Sequence, residues 1–171
     1  MFSGETNSLD FQFYEPDYFN SDLTKRSGGA ITSTRLSTDS IESLGAIKAA
    51  RNSQTIVYHY RKIFFKNNTE YNLSGVKAFI EPDCNYLAIA KEKVYRDYSV
   101  SATGLPNGYG HADFYTPYDY TNGLSIGNIS SGASTGLWLK IGLRDESIVE
   151  EESLSKDLQT KVYFEGYIEW L

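Results

Sequence analysis

The side chains able to do chemistry in this 171-residue chain are few. His111 stands in Gly-Tyr-Gly-His-Ala-Asp, and Asp113 two residues on is placed to orient its imidazole as a general base. A hydrolase on that pair needs a nucleophile such as Ser101 within hydrogen-bond reach, and no spacing in the sequence supplies it. His59 lies in a strand-like run and reads as a residue filling or flanking the core. Neither histidine has a second His or Cys at metal-ligand spacing, so zinc is unsupported. Glu150, Glu151 and Glu152 carry charge enough for calcium. Calcium loops, however, alternate oxygen ligands with turn glycines, and no glycine follows here until Gly166. That run reads as a solvated loop. Cys84 is the single cysteine, which excludes an internal disulfide and reads as a buried structural thiol. These residue types assign no catalytic group, no metal ligand and no cofactor, and they indicate a protein that is not an enzyme.

Aromatic residues are the feature that asks for an explanation: they make up 15% of the chain, with fourteen tyrosines. Tyr109, Phe114, Tyr115, Tyr118 and Tyr120 lie in a loop among Asn107, Asp113, Asp119 and Asn122. Aromatic faces beside amides and carboxylates suit sugar rings, and tyrosine also supplies rigid contact area in protein interfaces. The same rings can cover an open end of their own domain. Interface, glycan site and own-domain packing all remain open for this loop. A second group, Phe11, Phe13, Tyr14, Tyr18 and Phe19, alternates with Glu15, Asp17 and Asp22 around Pro16. No regular period is sustained there, and a free tail would not carry so many rings. Residues 1–28 are therefore expected to be an extended N-terminal arm, hinged at Gly28-Gly29, whose aromatics dock on a neighbouring subunit.

The elements that position these groups are strands. Leu137, Leu139, Ile141 and Leu143 alternate with Trp138, Lys140, Gly142 and Arg144, so one face is core and the other wetter. The preceding Ser-Ser-Gly-Ala-Ser supplies the tight connection back to Leu124 and Ile126. Val162, Phe164, Ile168 and Trp170 alternate in a final strand, and the first three of them share that core. Thr55 to Lys66 is the longest β segment; its apolar phase changes from even to odd, which predicts a bulge near Arg61 and Lys62. Asn67-Asn68-Thr69 turns the chain into a strand with Val76, Ala78 and Ile80 on one face. Tyr86 to Ala90 adds another with Leu87 and Ile89 inward. Ala30 to Leu36 allows an edge strand, Ala112 to Tyr115 a short pairing, and residues 39–50 one or two helical turns at most. Seven to nine strands give an all-β protein, an immunoglobulin-like or jelly-roll antiparallel β-sandwich over residues 29–171.

A net charge of −6 argues against nucleic acid, which needs concentrated Lys and Arg. No segment approaches the ~20 apolar residues of a membrane span, and the N-terminus has no leader-like run. The expectation is a chain made soluble in a cytoplasm, without membrane contact.

Two strand pairings carry a resemblance. Tyr60-Arg-Lys-Ile-Phe-Phe-Lys-Asn-Asn-Thr69 followed by Leu73-Ser-Gly-Val-Lys-Ala-Phe-Ile80 resembles small virion structural proteins of tailed bacteriophages. Leu124-Ser-Ile-Gly-Asn-Ile-Ser-Ser-Gly with Leu137-Trp-Leu-Lys-Ile141 is similar to the same group, as is Gly28-Gly-Ala-Ile-Thr-Ser with the stretch Leu36 to Leu44. The resemblance lies in strand patterns, not in functional side chains. It implies a non-enzymatic subunit of the virion, synthesised in the host cytoplasm, at the neck, tail or baseplate or on the capsid surface. Its partners would be other virion proteins and copies of itself. The alternative is an adhesion module that binds a host-surface glycan through loop 107–122.

Overall fold

The computed structural model describes residues 11–19, 25–36, 57–81, 86–143 and 161–169. Its strands are β1 (Phe11–Tyr18), β2 (Ser27–Arg35), β3 (Val57–Asn67), β4 (Asn72–Glu81), β5 (Leu87–Lys91), β6 (Tyr98–Ser99), β7 (Leu124–Ile129), β8 (Ser134–Leu143) and β9 (Lys161–Glu169). They form two antiparallel sheets, one ordered β5-β8-β3-β1-β2-β6 and the other β7-β4-β9. The protein is all-β, as its alternating apolar pattern predicts. The helical turn expected in 39–50, together with Cys84, Glu150–Glu152 and Trp170, lies outside the described residues.

Between the sheets lies the main core. Leu137, Leu139 and Ile141 of β8 face Leu73, Val76, Ala78 and Ile80 of β4, with Val162, Phe164 and Ile168 of β9 packed against them. The shared core of the two alternating strands is thus as the sequence indicates, for every member whose side chain is described. Two of the connections from sheet to sheet, β3 to β4 and β7 to β8, are tied together by one buried side chain. Asn67 Nδ2 donates to Tyr71 O at 2.8 Å and to Ile129 O at 3.2 Å. Its backbone N–H donates to Ala133 O at 3.0 Å. An aliphatic residue there would remove the side-chain donor from both carbonyls, one of them, Ile129 O, in a buried bond.

Three expectations are corrected. The bulge predicted near Arg61 is absent: β3 pairs with β8 in unbroken register from Val57↔Leu143 to Lys66↔Ser134. The phase change has another cause, because β3 is an inner strand covered on both faces; Tyr60 through Phe65 are all buried. A bulge does occur in β4, where register shifts between Leu73 and Val76 around Gly75 at φ +58°. The second correction concerns the wetter face of β8. Trp138 on that face is fully buried and joins Tyr60, Ala90, Tyr109 and Phe114 in a second core. The long loop between β5 and β7 supplies Tyr109 and Phe114, so this loop roofs the outer face of the large sheet.

The third correction is the arm. Residues 11–18 are not separate from the sandwich: β1 is inserted between β3 and β2 as an inner strand of the large sheet. Phe11 stacks on Phe65 at 6.0 Å, and Phe13 sits edge-on to Phe65 and Phe164 at 6.0 and 5.7 Å. Phe11, Phe13 and Tyr14 thus find cover on their own domain. Gly28 and Gly29 are not a hinge either. Both lie within β2 at φ +98° and +96°, and Gly29 N–H donates to Asp97 O at 2.8 Å. The positive φ serves a close approach, since a Cβ on Gly28 would lie 2.5 Å from the Trp138 ring.

Candidate functional site: a buried charge cluster and a strapped tyrosine surface

The roof over the large sheet encloses charge. Lys62, on the outer face of β3, is fully buried, and its ammonium lies 2.7 Å from Asp97 Oδ1 and 2.9 Å from Glu92 Oε2. It also donates to Gly29 O at 3.1 Å and sits 4.6 Å from the centre of the Phe64 ring. Asp97 is buried with it and gathers donors: Trp138 Nε1 at 3.0 Å on Oδ1, and on Oδ2 the Tyr109 hydroxyl and the backbone N–H of Lys93 at 3.3 Å. Burial pushes the Tyr109 phenol well above its usual range, and the hydrogen bond to Asp97 adds to the shift, so the hydroxyl stays a donor.

Two glycines make room for the cluster. Besides Gly28 against Trp138, a Cβ on Gly136 would lie 2.5 Å from both Lys62 Cε and Glu92 Oε2. Asp97 itself follows Arg96, whose φ of 75° is the one positive value on a non-glycine residue among those described. That turn aims Asp97 back under the roof while Arg96 stays outside. Sequence reading missed this cluster because Lys62, Glu92 and Asp97 are 30 and 5 residues apart in segments that look like solvated charge. The one available signal was Lys62 in the middle of an apolar strand.

The tyrosine-rich loop divides. Tyr109 and Phe114 are buried in their own domain, in contact with each other and with Trp138 and Tyr60. Tyr115 and Tyr118 are 42% and 53% exposed. They stand on a segment fastened to both sheets. Tyr115 exchanges backbone hydrogen bonds with Ile89 of β5 at 2.8 and 3.2 Å, and Pro117 O accepts from Ile80 N of β4 at 2.7 Å. Thr116 Oγ1 adds a bond to Leu87 O at 2.7 Å. The pairing expected over Ala112 to Tyr115 is thereby reduced to a bridge at Tyr115, preceded by a 3-10 turn, His111–Asp113. Further along, Tyr120 and Tyr167 meet at 89° with centroids 6.2 Å apart, beside Lys77, whose Nζ is 4.8 Å from the Tyr120 ring.

Of the arm residues, Tyr14 is buried beneath an open basin of about 430 Å³ that includes Thr32, Ser33, Arg35, Lys66 and Ser134. Its hydroxyl donates to Gln12 Oε1 at 3.1 Å. A hydrogen bond with Asn68 and the charges of Arg35 and Lys66 lower its phenol pKa, against the effect of burial. Tyr18 is exposed and lies edge-on to Tyr98 at 6.4 Å, with Arg26 5.0 Å above the Tyr98 ring. Phe19 is half-buried at the end of β1.

The His111–Asp113 pair is not assembled as a base and its orienter. Asp113 Oδ2 accepts from Lys93 Nζ and from Gly110 N, each at 2.7 Å, which lowers its pKa. His111 instead packs on the Tyr58 ring at 5.8 Å. His59 is buried on the inner face of β3. Desolvation lowers its pKa, and the charge of Arg61 adds to the effect. Among the described residues no three His, Cys, Asp or Glu side chains are grouped to hold a metal, and no helix is long and apolar enough to cross a membrane. Comparison of the chain with family models, with curated proteins and with solved structures finds no match.

Proposed function

We propose that the chain is a non-enzymatic structural subunit of a tailed-phage virion, set among other particle proteins at the neck, tail or baseplate or on the capsid surface. The observation that supports the reading is the exposure of Tyr115 and Tyr118 on a segment bonded to both sheets. Rigid rings held in place lose little freedom when a partner covers them, and aromatics of this kind are enriched at interface cores. The strand patterns resembling virion proteins supply the particle; the tyrosines supply the contact. Mass spectrometry of purified particles tests the reading. The chain should be present at a fixed copy number relative to the capsid protein, and Tyr115→Ser with Tyr118→Ser should lower that number. Particles that lack the chain would overturn the proposal.

The right-angled Tyr120–Tyr167 pair, with Lys77 and the Asn128 amide beside Gly75, favours a second reading as a glycan-binding module. A glycan-array signal lost in Tyr120→Ala or Tyr167→Ala, with particle incorporation intact, would replace the first reading by the second.

A further inference from the structure

We propose that Lys62 and Asp97 form an intramolecular isopeptide bond, assisted by Glu92, which links β3 covalently to the roof of the large sheet. The amine and the carboxyl group are already in contact, Nζ to Oδ1 at 2.7 Å, and both are buried. Holding reactants in this way replaces a bimolecular encounter and can supply an effective molarity of ~10⁵–10⁸ M. Phe64, Trp138 and Tyr109 surround the pair with rings and keep out the water that would compete. In such surroundings two opposite charges are expensive to keep, and an amide removes both.

The remaining groups fit the steps. Lys62 enters as an ammonium and Asp97 as a carboxylate. Glu92, 2.9 Å from the same nitrogen, takes one proton and passes it to Asp97 Oδ1, which leaves a free amine facing a neutral carboxyl group. The Nζ lone pair attacks Cγ of Asp97, forming the C–N bond. Charge that develops on Oδ2 falls between the Tyr109 hydroxyl and the Lys93 N–H, both already donating to that oxygen. This is the placement that stabilises a tetrahedral oxyanion. A second proton then leaves the nitrogen by way of Glu92. Both protons end on Oδ1, the Cγ–Oδ1 bond breaks, and one water departs. Trp138 Nε1, 3.0 Å from Oδ1, steadies the leaving oxygen. Glu92 is a carboxylate again at the end, and no oxidant, metal or nucleotide enters the balance. The glycine at 136 belongs to the same design, because any side chain there would separate Glu92 from Lys62.

The intact mass of the purified full chain tests the bond. The folded protein should be lighter than its sequence by the mass of one water, and a protease digest should yield one branched peptide containing Lys62 and Asp97. Lys62→Met and Asp97→Ala should both return the full sequence mass. Because either change leaves a buried charge alone and can impair folding, Glu92→Gln provides the independent check. It preserves shape and should give a folded chain, by circular dichroism, that keeps the sequence mass or converts at least tenfold more slowly. A folded natural chain with the full sequence mass overturns the proposal. So does a water lost at any other pair of residues. A Glu92→Gln chain that reacts at the natural rate overturns the part assigned to Glu92.

Discussion

Adding one methyl group at Gly28 separates two effects that usually arrive together. Gly28 and Gly127 both lie in strands and have nearly the same backbone angle, φ +98° and +94°. An L side chain at either position is strained, by about 1–3 kcal/mol for a residue held in a sparsely populated region. The gain from restricting the unfolded chain is equal for the two and cancels. Their surroundings differ. A Cβ at Gly127 meets nothing within 4 Å, whereas at Gly28 it lies 2.5 and 2.6 Å from two ring carbons of Trp138 and 2.8 Å from Asp97 O. Trp138 cannot retreat, since it is fully buried and its Nε1 is bonded to Asp97. Overpacking of this kind costs about 1–3 kcal/mol. Gly127→Ala should therefore cost about 1–3 kcal/mol, from strain alone. Gly28→Ala should cost about 2–6 kcal/mol, from strain and overpacking together. At about 2–4 °C per kcal/mol for a chain of this size, Gly28→Ala should melt roughly 2–12 °C below Gly127→Ala. Differential scanning calorimetry of the two variants gives the comparison. Equal melting temperatures would show that Trp138 is not held where the structure places it, and the account of the roofed face would fail.

Removing residues 1–18 should lower the melting temperature sharply and raise binding of a dye for exposed apolar surface, because β3 loses its neighbour and Phe65 loses Phe11 and Phe13; a truncated chain that melts like the full one would restore the docking-arm picture. Leu139→Ala, in the main core, should cost ~2–5 kcal/mol. Lys140→Ala should cost under about 1 kcal/mol, since its half-exposed amine loses little beyond its contact with the Tyr58 ring at 4.2 Å; thermal melts of both decide, and the reverse order would invert the inside and outside of β8. His59 is buried with a lowered pKa, so the unfolded chain binds its proton first as pH falls. Its contribution to stability is intact above the unfolded value of about 6.5 and declines as pH drops below it. His59→Leu should flatten the loss of stability between pH 7 and pH 5 in urea titrations, and an unchanged slope would place His59 in solvent.

Strand alternation made most of this fold legible. Leu137, Leu139 and Ile141 point where period two puts them, and so do Val162, Phe164 and Ile168. Alternation fails where both faces of a strand are covered. In β3 the run Tyr60 to Phe65 has no polar face to betray its phase, so a covered inner strand imitates a bulged one. It fails again at β1, whose two neighbours lie 9 and 39 residues downstream of Tyr18 at their nearest ends. Nothing local marks Phe11 and Phe13 as inner-strand residues, because the surface that covers them comes from β3 and β9. The candidate site was illegible for a related reason. Lys62, Glu92 and Asp97 gain their character only from the roof, and a roof is a tertiary fact.

That roof joins the two halves of the functional argument. The segment from Glu92 to Gly123 covers the outer face of the large sheet with Tyr109 and Phe114, then straps β5 to β4 at Tyr115 and Pro117. Its buried tyrosine, Tyr109, is fixed by Asp97 and Trp138, and its exposed Tyr115 and Tyr118 are held through the strap. A bond from Lys62 to Asp97 would anchor the segment at its start, and the Tyr115–Ile89 bridge anchors it further on. The segment that presents Tyr115 and Tyr118 is thus fastened to both sheets, and such fastening is what an aromatic contact needs if covering it is to yield affinity instead of being offset by ordering.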